Sequence, residues 1–164
     1  MPITRSRFSE IVGFSEPPLL LLSRREEVQD GYVIEHLRFR LGDEEVRGIL
    51  TRPDQTGARL PAILYGHSHG GGYTIGADEL LQGREYLLDP LGPVFARAGY
   101  VTLCIDMPIF GARATVSESF AAKALLWQGK SLFGQMLSDH AAALTYLAGR
   151  DDVDPSRIGA FGLS

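Results

Sequence analysis

LPAILYGHSHGGG, residues 60–72, decides how this chain is read. Leu60 to Tyr65 is nearly unbroken apolar sequence, the pattern of a strand covered on both faces rather than one with a wet side. The strand runs into two histidines and three consecutive glycines, Gly70 to Gly72. Such a glycine tract is costly in conformational entropy, so at a strand end it implies a backbone that must turn tightly or approach something closely.

Working outward, the next segments repeat the theme. Residues 89–100, DPLGPVFARAGY, predict a short helix: Pro93 suits a first turn, Gly99 gives a left-handed stop, and Val94, Phe95 and Ala98 are expected to face the sheet. YVTLCID, residues 100–106, is a second buried strand, which completes a strand, helix, strand crossover. In residues 132–150 apolar side chains recur at Phe133, Met136, Leu137, Ala141, Leu144, Leu147 and Ala148, the three-and-four spacing of an amphipathic helix ended by Gly149. Turn chemistry in DDVDPSR, residues 151–157, leads to a third buried strand, RIGAFGL. Upstream, YVIEHLRFRL and EEVRGILTRP flank Gly42-Asp43, a hairpin between antiparallel strands. Two strands in a hairpin followed by alternating strands and helices predict an α/β fold, a mostly parallel sheet with an antiparallel start and helices on both faces. Residues 1–30 are expected to form an irregular or partly helical lead-in, and residues 31–164 to belong to one domain.

Composition narrows the classes. With 164 residues, 45% hydrophobic and 22% charged, the chain suits one globular domain or part of one. A net charge of -4 with no basic stripe argues against a nucleic-acid partner. The apolar run Leu19 to Leu22 is far too short for a signal peptide core or a membrane span, so a cytoplasmic protein is expected. Cys104, the single cysteine, lies within an apolar strand and reads as a buried structural thiol.

Three strand ends remain as places for chemistry, because open α/β sheets bind ligands beyond the carboxyl ends of their strands. They are GHSHGGGY after the first strand, DMPIFGAR after the second and GLS after the third. Gly162-Leu163-Ser164 supplies the first three positions of the G-x-S-x-G turn that mounts a serine nucleophile clear of a sheet. The glycine loop frees backbone N–H groups of the kind that stabilise an oxyanion in lipases and esterases. A second reading takes His67 and His69 as metal ligands, since alternate residues of an extended segment face the same way. That site needs further ligands; otherwise His67 braces the loop through a hydrogen bond. The glycines at 159 and 162 do not fit the G-x-G-x-x-G spacing of a dinucleotide site. Asp106 is a candidate for ordering the loop after its strand, and Trp127, Lys130 and Phe133 for a pocket wall or ordinary core.

EEVRGILTRP, LPAILYGHSHGGG, GYVTLCIDMPIFGAR and DHAAALTYLAGRDDVDPSRIGAFGLS, taken in order from about Glu44 to Ser164, resemble the amino-terminal half of an α/β-hydrolase. The nearest branch holds the dienelactone hydrolases, acetyl xylan esterases and prolyl-oligopeptidase-like esterases. The resemblance implies a serine hydrolase of a carboxylic ester or lactone, needing no cofactor, with a small-molecule ester as substrate. It makes Ser164 the nucleophile and puts Ser68, His69 and Gly70 on one side of the oxyanion hole. The other donor, the acid and the histidine base would follow residue 164 in the family's order. The loop departs from the commoner HG pattern, which leaves the donor open among those three residues. A non-catalytic binding protein of the same fold is the other reading. Because an exposed central strand would leave a long unpaired edge, a full protein of about 250 to 300 residues is expected.

Overall fold

The computed structural model describes residues 3–54 and 57–162. Along the chain it forms α1 (Arg5–Val12), β1 (Leu19–Gln29), β2 (Tyr32–Leu41), β3 (Glu44–Pro53), β4 (Leu60–Gly66), α2 (Glu79–Gln82), α3 (Leu91–Arg97), β5 (Val101–Ile105), α4 (Glu118–Trp127), α5 (Leu132–Ala148) and β6 (Val153–Gly162). The six strands make one sheet in the order β1-β2-β3-β5-β4-β6. β4 pairs in parallel with β5 on one side and β6 on the other, while β1, β2, β3 and β5 pair antiparallel in succession.

The antiparallel start is one strand longer than the expected hairpin. Gly42 turns the chain at φ 58° between β2 and β3, as the Gly42-Asp43 signal required. The lead-in, expected to be irregular or partly helical, contains α1 and also the eleven-residue strand β1. β1 pairs along β2 from Leu19↔Leu41 to Gln29↔Tyr32, with a bulge between Leu21 and Ser23. It is an edge strand whose side chains are mostly exposed, so main-chain hydrogen bonds rather than burial hold it, and its Arg24, Arg25, Glu26 and Glu27 discourage further pairing at that edge.

The sheet has a core on each face. On one, Ile34, Ile49, Tyr65 and Cys104 pack with Ala77 and Leu80, supported by Leu91 and Phe95 of α3. On the other, Leu37, Leu50, Leu64 and Leu103 pack with Ala142, Ala143 and Leu147 of α5. Neighbours such as Ile49 and Leu50 serve opposite faces because successive strand side chains alternate. The buried Cys104 is the structural thiol expected.

Both long connections meet the sheet through small residues, which rotates them from the expected faces. α3 presses onto β3 at Gly92, where a Cβ would lie 2.6 Å from the Leu80 carbonyl oxygen and where Thr51 Oγ1 donates to the Gly92 carbonyl at 3.0 Å. Gly92 and Ala96 are therefore buried, whereas Val94 and Ala98 are exposed. In α5 the buried line is Gly134, Ser138, Asp139, Ala142, Ala143 and Leu147. Phe133 and Leu144 are exposed, and Trp127 and Phe133 face outward instead of joining the core. No helix among the described residues is long and apolar enough to cross a membrane.

Candidate active site

The loop after β4 is tied down by a carboxylate. Glu79, the first residue of α2, is 1% exposed and receives four donor groups. The Ser68 N–H points between its two carboxylate oxygens at 3.1 Å each, and the Ser68 hydroxyl donates to Oε2 at 2.7 Å. The Tyr65 hydroxyl donates to Oε1 at 2.8 Å and Arg84 Nε to Oε2 at 2.6 Å. Arg84 also reaches the Ser68 carbonyl through Nη2 at 3.0 Å, and the Tyr86 hydroxyl closes on the Ser68 hydroxyl. Burial pushes the Glu79 carboxyl up, but the hydrogen bonds from Arg84, Ser68 and Tyr65 outweigh it and hold the group below the ordinary carboxylate value.

Those bonds decide which loop amides are free. The N–H of Ser68 is committed to Glu79, so of the three residues left open as donors it is the one whose amide is already taken. Among the described residues the N–H groups of His69 and Gly70 find no acceptor. Gly70 and Gly71 take left-handed conformations at φ 45° and 69°, and the Gly72 N–H returns to the His69 carbonyl at 3.1 Å. The glycines thus make a tight turn that leaves two amides open.

His67 braces the loop. Its Nε2 accepts from the Met107 N–H at 3.2 Å and its Nδ1 faces the Ser68 carbonyl at 3.4 Å, so the proton is assigned to Nδ1. Burial lowers its pKa, with Ser68 and the nearby acids opposing. With both nitrogens engaged, His67 has no lone pair to share with His69, and the metal-ligand reading of the pair does not hold. Among the described residues no group of three or more metal-binding side chains converges. His69 instead turns outward: Gly71 N–H donates to its Nδ1 at 3.3 Å, and its Nε2 lies 3.2 Å from Glu118 at the start of α4. Tyr73 donates to the same Glu118 oxygen at 2.7 Å, and Phe110 stacks on Tyr73 at 5.2 Å beneath the loop.

Asp106, at the end of β5, orders the loop expected and a second one, between β4 and α2. Oδ1 accepts from the Ala77 N–H at 2.7 Å and Oδ2 from the Ala112 N–H at 2.9 Å, with Arg47 Nε at 3.1 Å from Oδ2. The loop it shapes includes Ile109 at φ 70°, a strained conformation for a β-branched residue. Glu79, Arg84, Tyr86, Tyr73 and Glu118 escaped sequence reasoning. The only signal for Glu79 is an acid set directly against the apolar pair Leu80-Leu81.

The third strand end meets the first. β6 runs parallel to β4 in the register Ile63↔Gly159 to Gly66↔Gly162, so the last described residue lies beside the one that precedes His67. Ser164 itself lies outside the described residues.

Comparison with solved structures bears on this arrangement. A protein described as a "putative acetyl xylan esterase" from Bacteroides fragilis superposes on 98% of this chain and 45% of its own, with a TM-score of 0.76 at 22% identity. Acetyl xylan esterase 1 from a Thermoanaerobacterium species covers 97% of this chain and 49% of its own, with a TM-score of 0.66 at 16% identity. The chain has the α/β-hydrolase fold. In this chain the ends of β4 and β6 lie side by side, and the loop leading to α2 runs on from that point. In sequence, "Putative hydrolase YtaP" of Bacillus subtilis (strain 168) is 37% identical over 149 residues, 90% of this chain and 50% of YtaP. The chain thus spans about half the length of the relatives it matches. No family model matches it.

Proposed function

We propose that this α/β-hydrolase chain supplies the nucleophile and one arm of the oxyanion hole of a serine hydrolase that cleaves a carboxylic ester or lactone. The observation that carries the reading is the Gly66↔Gly162 register, which brings the strand leading to Ser164 alongside a loop with two unclaimed amides. The relatives' names, acetyl xylan esterases and a hydrolase, support the same chemistry. Ser164 Oγ attacks the ester carbonyl, forming a carbon–oxygen bond as its proton passes to a histidine base. The His69 and Gly70 N–H groups donate to the oxygen that gains charge, the alcohol leaves with the proton, and water then hydrolyses the acyl-enzyme. A small-molecule ester is the partner, and neither metal nor organic cofactor enters a step.

A fluorophosphonate probe tests this on the full-length protein. Labelling at Ser164, lost in Ser164→Ala together with p-nitrophenyl acetate turnover and unaffected by chelator, is the expected result. Turnover that survives Ser164→Ala, or that chelator abolishes, overturns it.

A further inference from the structure

We infer that Glu79 is a positioning residue of the hydrolytic site, acting through the Ser68 amide to fix where the His69 and Gly70 N–H groups point; this rests on the proposed ester hydrolysis. All four groups that meet Glu79 are donors: a backbone N–H, two hydroxyls and a guanidinium. Only an acceptor on both oxygens satisfies them, and an ionised carboxylate is that group. Ser68 is held from three directions, through its N–H and hydroxyl by Glu79 and through its carbonyl by Arg84. The Ser68 carbonyl shares a peptide plane with the His69 N–H, so clamping that carbonyl, with the Ser68 N–H held in the peptide before it, sets the direction of the open His69 amide.

Arg84 completes the device. Its guanidinium sits against the glycine turn, where a Cβ at Gly72 would lie 2.3 Å from Nη1. The glycine at 72 thus admits the cation that both balances the charge of Glu79 and clamps the Ser68 carbonyl. A bare buried carboxylate next to a developing oxyanion would oppose the reaction; a carboxylate paired at 2.6 Å does not.

Replacing Glu79 by glutamine keeps its shape but turns an amide NH₂ toward donors. Misplaced oxyanion amides weaken transition-state binding while leaving ground-state binding alone, so kcat should fall and KM should stay. The experiment measures p-nitrophenyl acetate hydrolysis by the full-length protein, with competent sites counted by fluorophosphonate labelling. For Glu79→Gln we expect kcat per labelled site to fall about 10- to 100-fold with KM within about twofold. Arg84→Met, which removes the carbonyl clamp and the cation paired with Glu79 but leaves Glu79 bound to Ser68 and Tyr65, should give the same pattern, and it decides the matter should Glu79→Gln not fold. A merely structural role lowers the fraction of labelled sites but leaves kcat per site at the wild-type value; that outcome overturns the positioning role. Wild-type protein that labels at Ser164 alongside variants with unchanged kcat per site sinks this inference alone, whereas failure to label Ser164 sinks the proposed function first.

Discussion

His140 should make the protein lose stability in mild acid, and the size of the loss follows from where the ring lies. It sits in α5 against β4, its Cε1 3.3 Å from where a Gly66 Cβ would be, with Nε2 buried and unpartnered among the described residues. Burial is the main cause that lowers its pKa from 6.5 to about 4, with the nearby His67 adding to it. A base whose folded pKa is depressed binds its proton more readily when unfolded. The stability it contributes is therefore full above the unfolded value of 6.5 and drains as pH falls toward 4. The slope in that window approaches about 1.4 kcal/mol per pH unit, and the total lost reaches about 2.5 kcal/mol by pH 4.5. Against a typical domain stability of about 5 to 15 kcal/mol that is a large share. His140→Leu removes the titration while keeping the volume roughly constant. Urea unfolding of both proteins at several pH values from 7 to 4.5 should show the variant gaining relative to wild type as pH falls. Other acids titrate equally in both proteins and cancel in the difference. A wild-type minus variant difference that stays flat from pH 7 to 4.5 refutes the reasoning.

Two further substitutions probe what holds the fold. Gly134→Ala should undock α1, because a Cβ there would lie 1.7 Å from the Val12 carbonyl oxygen, at the contact where Ser131 Oγ donates to that same oxygen at 2.7 Å. We expect a loss of about 1 to 3 kcal/mol in urea unfolding and faster amide exchange confined to residues 5–12. Glu35→Gln should cost about 3 to 5 kcal/mol at pH 7, since it leaves the guanidiniums of Arg52 and Arg150, now 2.7 and 2.9 Å from the carboxylate, without their buried anion. Burial raises the Glu35 carboxyl but the two arginines more than offset it, so the wild-type contribution should persist until pH falls below the ordinary 4.5, and an earlier loss would contradict the pairing.

The parts of the fold that were legible are those whose side chains report their surroundings. β4 and β5 are apolar apart from Thr102 because both faces are covered, and Gly42 marks the hairpin because its φ of 58° favours glycine. β1 was hidden because LLLLSRREEVQ neither alternates nor avoids charge: its stability comes from pairing with β2, which leaves no trace in its own composition. The faces of α3 and α5 differ from the expected ones for a related reason. Small residues rather than only large apolar ones point inward, Gly92, Ala96, Gly134 and Ala142 among them, since close approach of a helix to a neighbour needs small residues more than apolar bulk. Within the site, the glycine turn was readable from its cost, whereas Glu79 was not, because a buried acid has the same letter as a solvated one.

The loops at two of the three strand ends are held by an acid that accepts backbone N–H groups: Asp106 from Ala77 and Ala112, and Glu79 of α2 from Ser68. Each is balanced by an arginine from elsewhere in the chain, Arg47 for Asp106 and Arg84 for Glu79. Loops that leave amides open for a ligand cannot use those amides to hold themselves in place. Something else must fix the backbone, and an acceptor-only side chain can bind neighbouring amides without competing for the open ones. The acid–arginine pairs at the ends of β4 and β5 are that solution, and they account for how a run of three glycines can keep one conformation. On this logic the acids most worth mutating are those that hold the amides next to the open ones.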